Sequence, residues 1–241
     1  MLPGLVIIPT YNEKENIEAI LQKVFFLKTD YHVLVVDDGS PDGTGKLVKD
    51  LFATYPNKLF IEERTGKQGL GTAYVHGFKW ALERGYHYIF EMDADFSHNP
   101  EDLPRLQKAC ENGADVAVGS RYSNGVNVVN WPMGRVLMSY YASKYVRMIT
   151  GMKVADATAG FICWTAPVLQ KIVKDGVKFV GYAFQIEMKF KTVKYGFKLV
   201  EVPIIFTDRT QGQSKMSSKI FKEAIFGVIS MKIGSWFRKW E

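Results

Sequence analysis

Asp93-Ala94-Asp95 follows the apolar run Tyr88-Ile89-Phe90-Glu91-Met92. Such a run reads as a buried strand. Two carboxylates at i and i+2 after it would stand together at the carboxyl edge of a parallel sheet, where α/β proteins bind ligands. Paired hard oxygen donors around a small residue suit Mg²⁺ or Mn²⁺ bridging a diphosphate, because these ions keep positions open for phosphate oxygens. The alternative is a solvated turn, since Asp is common where strands end. Cations complement the acids. Arg121 closes the strand pattern over 114–119, Arg135 and Ser139 lie one helical turn apart, and Arg209 and Lys215 flank Gln211-Gly212-Gln213-Ser214. A phosphate group held among other anions needs several fixed cationic donors, and Arg binds it bidentately. Each of these cations taken alone could equally be a solvated surface charge.

Two more loops belong with the acidic triplet. The first strand pattern ends Ile8-Pro9-Thr10-Tyr11-Asn12-Glu13, and the second ends Val35-Val36-Asp37-Asp38-Gly39-Ser40, followed by Asp42-Gly43-Thr44. A carboxylate such as Asp38 can accept hydrogen bonds from a base or a ribose, and Tyr11 offers a flat apolar face. An Asp-Gly turn with a helix cap is the structural alternative, for Ser40 and Asp42 above all. The dinucleotide fingerprint GxGxxG does not follow the first strand, and Gly45-Lys46 lacks P-loop spacing. Gly66-Lys67-Gln68-Gly69-Leu70-Gly71 reads either as a loop that approaches a phosphate or as an ordinary loop.

The elements that must position these loops are predicted from periodicity. Strand patterns at 5–9, 32–36, 58–62, 86–92 and 114–119 alternate with helix patterns at 13–26, 42–55, 68–84 and 100–111. That order is an α/β one, with a mostly parallel, Rossmann-like sheet and crossover helices. The second half predicts a helix over 132–150, a strand over 161–164, a helix over 182–195 and a strand over 198–206 broken by Pro203. A long helix over 217–240 comes last. Without an internal repeat or linker, the expectation is one domain over 1–216 and a C-terminal amphipathic helix over 217–241.

In that last helix Ile220, Phe221, Ala224, Ile225, Val228 and Ile229 form an apolar stripe. Lys219, Lys222, Lys232, Arg238 and Lys239 border it, and Trp236, Phe237 and Trp240 add aromatic anchors. The pattern fits a helix lying in the interface of an anionic bilayer, or one docked on the protein's own core.

The chain of 241 residues is 47% hydrophobic and 23% charged, with a net charge of +6. A basic balance attracts nucleic acid, anionic lipid or phosphate substrates alike. No nucleic-acid-binding motif is present, so no nucleic-acid partner is expected. Cys110 and Cys163 lie outside any CxxC and read as reduced core thiols. No signal peptide is expected before the first strand, and no apolar run reaches the roughly 20 residues of a spanning helix. A cytoplasmic protein, peripheral on the cytoplasmic membrane face, is expected.

As a set, Pro9-Thr10-Tyr11-Asn12-Glu13, Asp37-Asp38-Gly39-Ser40, Asp93-Ala94-Asp95 and Gly119-Ser120-Arg121 resemble the family 2 glycosyltransferases of GT-A fold. Further motifs narrow the branch: Asp93 to Pro100, Gly119-Ser120-Arg121-Tyr122, Trp131-Pro132-Met133-Gly134-Arg135, Asp156-Ala157-Thr158-Ala159-Gly160-Phe161 and Asp208-Arg209-Thr210-Gln211-Gly212-Gln213-Ser214-Lys215. These resemble the dolichol-phosphate (polyprenol monophosphate) mannose synthases over nearly the whole chain. The resemblance implies transfer of mannose from GDP-mannose to a polyprenyl phosphate. By position, Pro9, Tyr11, Glu13, Val36 and Asp38 would hold guanosine. Asp93, Ala94 and Asp95 would hold ribose, diphosphate and metal. Arg121, Arg209 and Lys215 would meet the donor, while Arg121, Arg135, Ser139 and Arg209 would meet the acceptor phosphate. Some relatives carry a Gln ligand two residues after the second Asp. Ser97 stands there here, so Mg²⁺ or Mn²⁺ would sit on Asp93, Asp95 and Ser97 with water completing the shell. His98 reads as structural rather than a ligand.

Asp95, Arg121 and Arg209 are the expected catalytic groups. A phosphate monoester, with a second pKa of about 6, is already a nucleophile at neutral pH, so no general base is required. In-line attack would invert the donor's α linkage to β. Glu187, in Gln185-Ile186-Glu187, falls roughly where other branches carry a base, and reads as a positioning residue or a surface charge. Asp156 reads as ordering the acceptor side or as a turn cap. Relatives with spanning segments place them after the catalytic domain. This chain is expected to reach its lipid from the surface or through a membrane-anchoring partner subunit. Rival readings are UDP-glucose as donor, a glycan hydroxyl as acceptor, and a non-catalytic sugar-nucleotide or membrane-binding module.

Overall fold

A computed structural model describes residues 2–208 and 218–240. The first half alternates as its periodicity predicts: β1 (Gly4–Thr10), α1 (Lys14–Phe25), β2 (Tyr31–Asp37), α2 (Thr44–Asp50), β3 (Leu59–Glu63), α3 (Leu70–Glu83), β4 (Tyr88–Glu91), α4 (Leu103–Glu111) and β5 (Val116–Ser120). A short 3₁₀ turn over Pro100–Asp102 leads into α4, with the Asn99 side chain accepting from the Glu101 N–H. The second half adds β6 (Val128–Val129), α5 (Met133–Thr150), β7 (Ile162–Thr165), α6 (Ala166–Asp175), α7 (Tyr182–Lys194), β8 (Leu199–Pro203), β9 (Phe206–Thr207) and α8 (Ser218–Trp236).

β1 runs near the centre of a seven-stranded sheet of order β3-β2-β1-β4-β7-β5-β8. Its sequence, Gly-Leu-Val-Ile-Ile-Pro-Thr, lacks the alternation of a half-exposed strand because both faces are covered. Leu5 and Ile7 pack with Phe78, Trp164 and Phe184 on one side of the sheet, while Val6 and Ile8 pack with Ile17, Leu21 and Leu103 on the other. α1 buries Ile17, Ile20, Leu21 and Val24, the helical spacing that predicted it.

All the pairings of this sheet are parallel except those of β7, which runs antiparallel between β4 and β5. The strand was legible in the sequence and its direction was not. The direction matters for the site. An antiparallel strand delivers the residues before it, 151–161, to the same edge as the ends of β1, β2, β4, β5 and β8.

Several boundaries differ from the sequence reading. α2 starts at Thr44, because the Asp42 carboxylate accepts from both the Thr44 N–H and its hydroxyl and Gly43 takes a left-handed φ of 90°. α6 was not foreseen, although Pro167 near its start and Gly176 after its end bracket the apolar positions Val168, Leu169 and Ile172. The strand expected over 198–206 is two strands. Pro203 ends β8, and β9 pairs instead with β6, a parallel pair separate from the main sheet.

In α8 part of the expected stripe docks on the core, the second of the two readings; the side chains of Lys219, Ile220, Phe221, Lys222 and Ala224 lie outside the described residues. Val228 is buried with Val146, Ile186 and Phe190, and the Tyr145 hydroxyl donates to the Ile225 carbonyl, so this side docks on α5 and α7. The outward apolar face is Phe226, Ile229, Ile233, Trp236 and Phe237. Trp240 packs on Phe190 and Tyr195 rather than outward. Among the described residues, no helix is long and apolar enough to cross a membrane. Cys110 and Cys163 are buried free thiols, as expected.

Candidate active site at the carboxyl edge of the sheet

The ends of β1 and β2 are tied to each other by their own polar side chains. The Thr10 hydroxyl donates to Asp37 at 2.7 Å, the Ser40 hydroxyl donates to the same carboxylate at 2.6 Å, and the Asn12 N–H donates back to the Ser40 Oγ. Thr44 accepts from the Glu13 N–H and Asp42 from the Lys14 N–H. Asp37, Ser40, Asp42 and Thr44 therefore build the edge, as the structural alternative held for Ser40 and Asp42. On that edge Tyr11 is partly exposed beneath the Lys67 ammonium, 5.2 Å from its ring. Glu13 and Pro9 are half-buried beside it. Val36 is fully buried in the core and supports the edge from below.

Asp38 is engaged by a residue that the sequence reading passed over. Arg64, just beyond β3, donates from Nε to Asp38 at 2.6 Å and from Nη1 to the Thr72 hydroxyl at 2.9 Å, and the Gln68 N–H also reaches Asp38. The Gly66–Gly71 segment is thus bound to the end of β2. Gly69 has φ 101°, and a Cβ there would meet the Val180 carbonyl at 3.2 Å, so glycine is required by both conformation and space.

The acidic triplet continues β4. The Tyr74 hydroxyl of α3 lies 3.4 Å from the Asp93 carboxylate, and Ala94 is buried. The Asp93 N–H donates to His98 Nδ1 at 3.0 Å, and the Ser97 N–H donates to Asp95 at 3.1 Å. His98 is buried, stacked on Phe161 at 4.8 Å, and burial lowers its pKa despite Asp93 and Asp95 nearby. It braces the turn from behind. The Ser97 hydroxyl is 3% exposed and has no hydrogen-bond partner among the described residues. An orphaned buried hydroxyl beside two carboxylates fits a hard cation. No group of three or more His, Cys, Asp or Glu able to hold a metal occurs among the described residues. A cation on these donors would need ligand oxygens or water as well.

β5 delivers Arg121 to the same edge. Its guanidinium donates to Asp156 from Nε at 2.7 Å and from Nη2 at 2.6 Å, and Nη2 also reaches Thr158 at 2.8 Å. Burial alone would raise the Asp156 carboxyl, but the Arg121 charge and hydrogen bonds outweigh it and hold the group below the usual carboxylate range. Asp156 belongs to the turn that antiparallel β7 brings here. Trp131 lies between two arginines, 5.5 Å from the Arg121 guanidinium and 4.2 Å from that of Arg135. Arg135 pairs with Asp208 at 2.7 Å, and Asp208 is placed by its N–H bond to the Val129 carbonyl. Burial raises the Tyr122 phenol, against which Ser139 and Arg121 act. Arg121, Arg135 and Ser139 therefore share one wall, with Trp131 and Tyr122 as unforeseen spacers. Arg209 and Lys215 lie outside the described residues.

Glu187 is not a surface charge. It is buried on α7, accepts from the Lys178 and Phe179 N–H groups at 2.9 Å each, and pairs with Lys191 at 3.0 Å.

Residues 5–177 match the family described as Glycosyl transferase family 2. A polyprenol monophosphomannose synthase of Mycolicibacterium smegmatis is 49% identical over 224 residues, 93% of this chain and 84% of that protein. An undecaprenyl-phosphate mannosyltransferase of Micrococcus luteus is 44% identical over 237 residues, 98% of this chain and 96% of that protein. Among solved structures, a glucosyl-3-phosphoglycerate synthase of Mycobacterium tuberculosis with Mn²⁺ and UDP superposes with a TM-score of 0.67 at 15% identity, covering 96% of this chain and 80% of that one. A mannosyltransferase of Pyrobaculum calidifontis with GDP-mannose and Mn²⁺ superposes at 0.56 and 15% identity, covering 98% and 76%.

Proposed function

The chain belongs to glycosyl transferase family 2, and on that premise we propose that it transfers mannose from GDP-mannose to a polyprenyl phosphate, giving polyprenyl β-mannosyl phosphate. The observation that carries the reading is the meeting, at one sheet edge, of the Asp93–Asp95 turn with the Arg121–Trp131–Arg135 wall. The names of two relatives at 44% and 49% identity support mannosyl transfer to a polyprenyl phosphate. GDP-mannose in the Pyrobaculum mannosyltransferase supports the donor at the level of fold.

Tyr11, Glu13, Pro9 and Asp38 line the donor end, where Arg64 fixes the Asp38 carboxylate. Asp93, Asp95 and the Ser97 hydroxyl would hold Mg²⁺ or Mn²⁺. When bound, such an ion stabilises the leaving diphosphate as charge builds on it. Arg121 and Arg135, with Ser139 beside them and with Arg209, neutralise the acceptor phosphate and hold it against the repulsion of the donor, which Lys215 meets. Asp156 keeps the Arg121 fork in one orientation. The acceptor monoester needs no base, and Glu187 is committed to backbone N–H groups. In-line attack inverts the anomeric centre.

The protein works peripherally at a membrane, on its cytoplasmic face. Phe226, Ile229, Ile233, Trp236 and Phe237 of α8, with Met133, Leu137, Tyr141 and Met148 of α5, expose apolar surface suited to the lipid interface. The division into a catalytic domain over 1–216 and a membrane-facing helix over 217–241 fits this use, although the inner side of α8 is part of the core. A membrane-anchoring subunit would add to this contact.

The test offers labelled GDP-mannose or UDP-glucose with polyprenyl phosphate and Mg²⁺. The expected result is organic-phase label from GDP-mannose. Label from UDP-glucose alone would replace the donor, and label from neither would reject lipid glycosylation.

A further inference from the structure

Lys189 of α7 is completely buried, at 0% exposure. Taking an ammonium out of water is costly, and an apolar side chain of similar size would fill the same space more cheaply. Two duties could hold a lysine there. One is to neutralise Glu91, the buried carboxylate of β4 that accepts from the Trp164 indole at 2.8 Å and from the Gln185 amide. The other is to hold something by hydrogen bond. The geometry separates them. The Lys189 Nζ donates to the Ala159 carbonyl at 2.6 Å and to the Gln185 carbonyl, one helical turn back, at 3.1 Å. Among the described residues, no ion pair within 4 Å joins it to Glu91.

The Ala159 carbonyl belongs to the turn that carries Asp156. The other side of that turn is held from β8, where the Glu201 carboxylate accepts from the Ala155 N–H at 2.7 Å and the Asp156 N–H at 2.9 Å. The turn is therefore pinned by an acid on its donors and by an ammonium on its acceptor. Between the two pins Asp156 takes three hydrogen bonds from Arg121. We propose that Lys189 is a positioning residue for the acceptor end of the site. Its ammonium clamps the Ala159 carbonyl, and the clamped turn holds Asp156 against the Nε–Nη2 edge of Arg121, which sets where the guanidinium stands toward the lipid phosphate. The inference rests on the acceptor assignment of Arg121 made above. The base end of the donor site, at Asp38, Arg64 and the ends of β1 and β2, lies on the far side of β4 and is not reached by this clamp.

The test compares the full chain, Lys189→Met and the double variant Glu91→Gln/Lys189→Met, assayed with GDP-mannose and a detergent-dispersed polyprenyl phosphate. Unaltered protein is run first. If it transfers no mannose, the functional reading fails before the clamp is addressed. The clamp predicts a rise of roughly tenfold or more in the lipid KM of Lys189→Met, with the GDP-mannose KM unmoved. In the double variant no buried carboxylate is left without its cation, so thermal stability recovers relative to Lys189→Met while the lipid KM stays high. A normal lipid KM in the double variant would show that Lys189 only balances Glu91. A GDP-mannose KM that rises in parallel would show a general loosening of the fold. Either overturns the clamp. If Lys189→Met does not fold, the double variant alone decides.

Discussion

Arg121 and Asp156 form a bidentate pair, at 2.7 and 2.6 Å, reinforced by the Arg121 backbone N–H at 3.0 Å to the same carboxylate. Both side chains are nearly out of solvent. The pair joins the end of β5 to the turn before β7, two segments 35 residues apart. It can form only because β7 runs antiparallel. We predict that Asp156→Asn, which leaves the arginine buried without its counter-charge, destabilises the fold by about 3–5 kcal/mol. Arg121→Lys, which loses the fork but keeps the charge, should fold and raise the lipid KM. Urea melts and steady-state kinetics read the two effects. An Asp156→Asn protein of unchanged stability and unchanged lipid KM would remove the acceptor assignment of this pair.

Glu187 provides the sharpest contrast with a hydroxyl-glycosylating enzyme. A general base contributes about 10²- to 10⁴-fold to its reaction. The Glu187 carboxylate instead closes the segment before α7, through the Lys178 and Phe179 N–H groups and Lys191. The expectation for Glu187→Gln is a lowered melting temperature and a kcat within about tenfold of the unaltered chain. Complete loss of turnover in a well-folded Glu187→Gln protein would favour a glycan hydroxyl as acceptor.

His98 makes stability depend on pH. Burial holds its pKa below the ordinary 6.5, and its neutral Nδ1 accepts the Asp93 N–H. Below about pH 6.5 the unfolded chain takes up a proton at this position that the folded chain refuses, so the unfolded state gains ground as pH falls. Above that pH the group contributes no slope. The metal-free protein should therefore lose stability between pH 6.5 and 5, and His98→Asn should flatten part of that loss. An equal slope in both proteins would assign the effect elsewhere.

Trp236 and Phe237 are 67% and 86% exposed at the end of α8, where they touch little of the protein. Replacing both with Ser should change folding stability by no more than about 0.5 kcal/mol. Sedimentation with anionic vesicles should fall sharply for the same variant. Unchanged vesicle binding would move the membrane contact to another face.

Much of the edge was legible in the sequence because it is local. The strand patterns over 5–9, 32–36 and 86–92 end within one residue of β1, β2 and β4, because their apolar runs give way to polar residues. The acidic triplet and the Asp42 turn depend on neighbours within a few positions. What the sequence hid depends on tertiary pairing. The direction of β7 is set by its neighbours β4 and β5, and a four-residue apolar run carries no mark of it. Arg64 reaches Asp38 only after β2 and β3 pair, and Lys189 meets the Ala159 carbonyl, 30 positions away, only in the folded chain. The helical stripe in α8 was visible, but the side that docks was fixed by Val146, Ile186 and Phe190 on other helices.

The role of the Asp93–Asp95 turn in lipid mannosylation is decided by single-turnover transfer from labelled GDP-mannose to a polyprenyl phosphate, with and without Mg²⁺, in the unaltered chain and in Asp95→Asn. The expected outcome is mannosyl lipid from the unaltered chain only when Mg²⁺ is present. Asp95→Asn should be slower by at least about 10²-fold, in line with loss of a group that steadies transition-state charge. Equal rates in the two proteins, or transfer indifferent to the divalent cation, would contradict it.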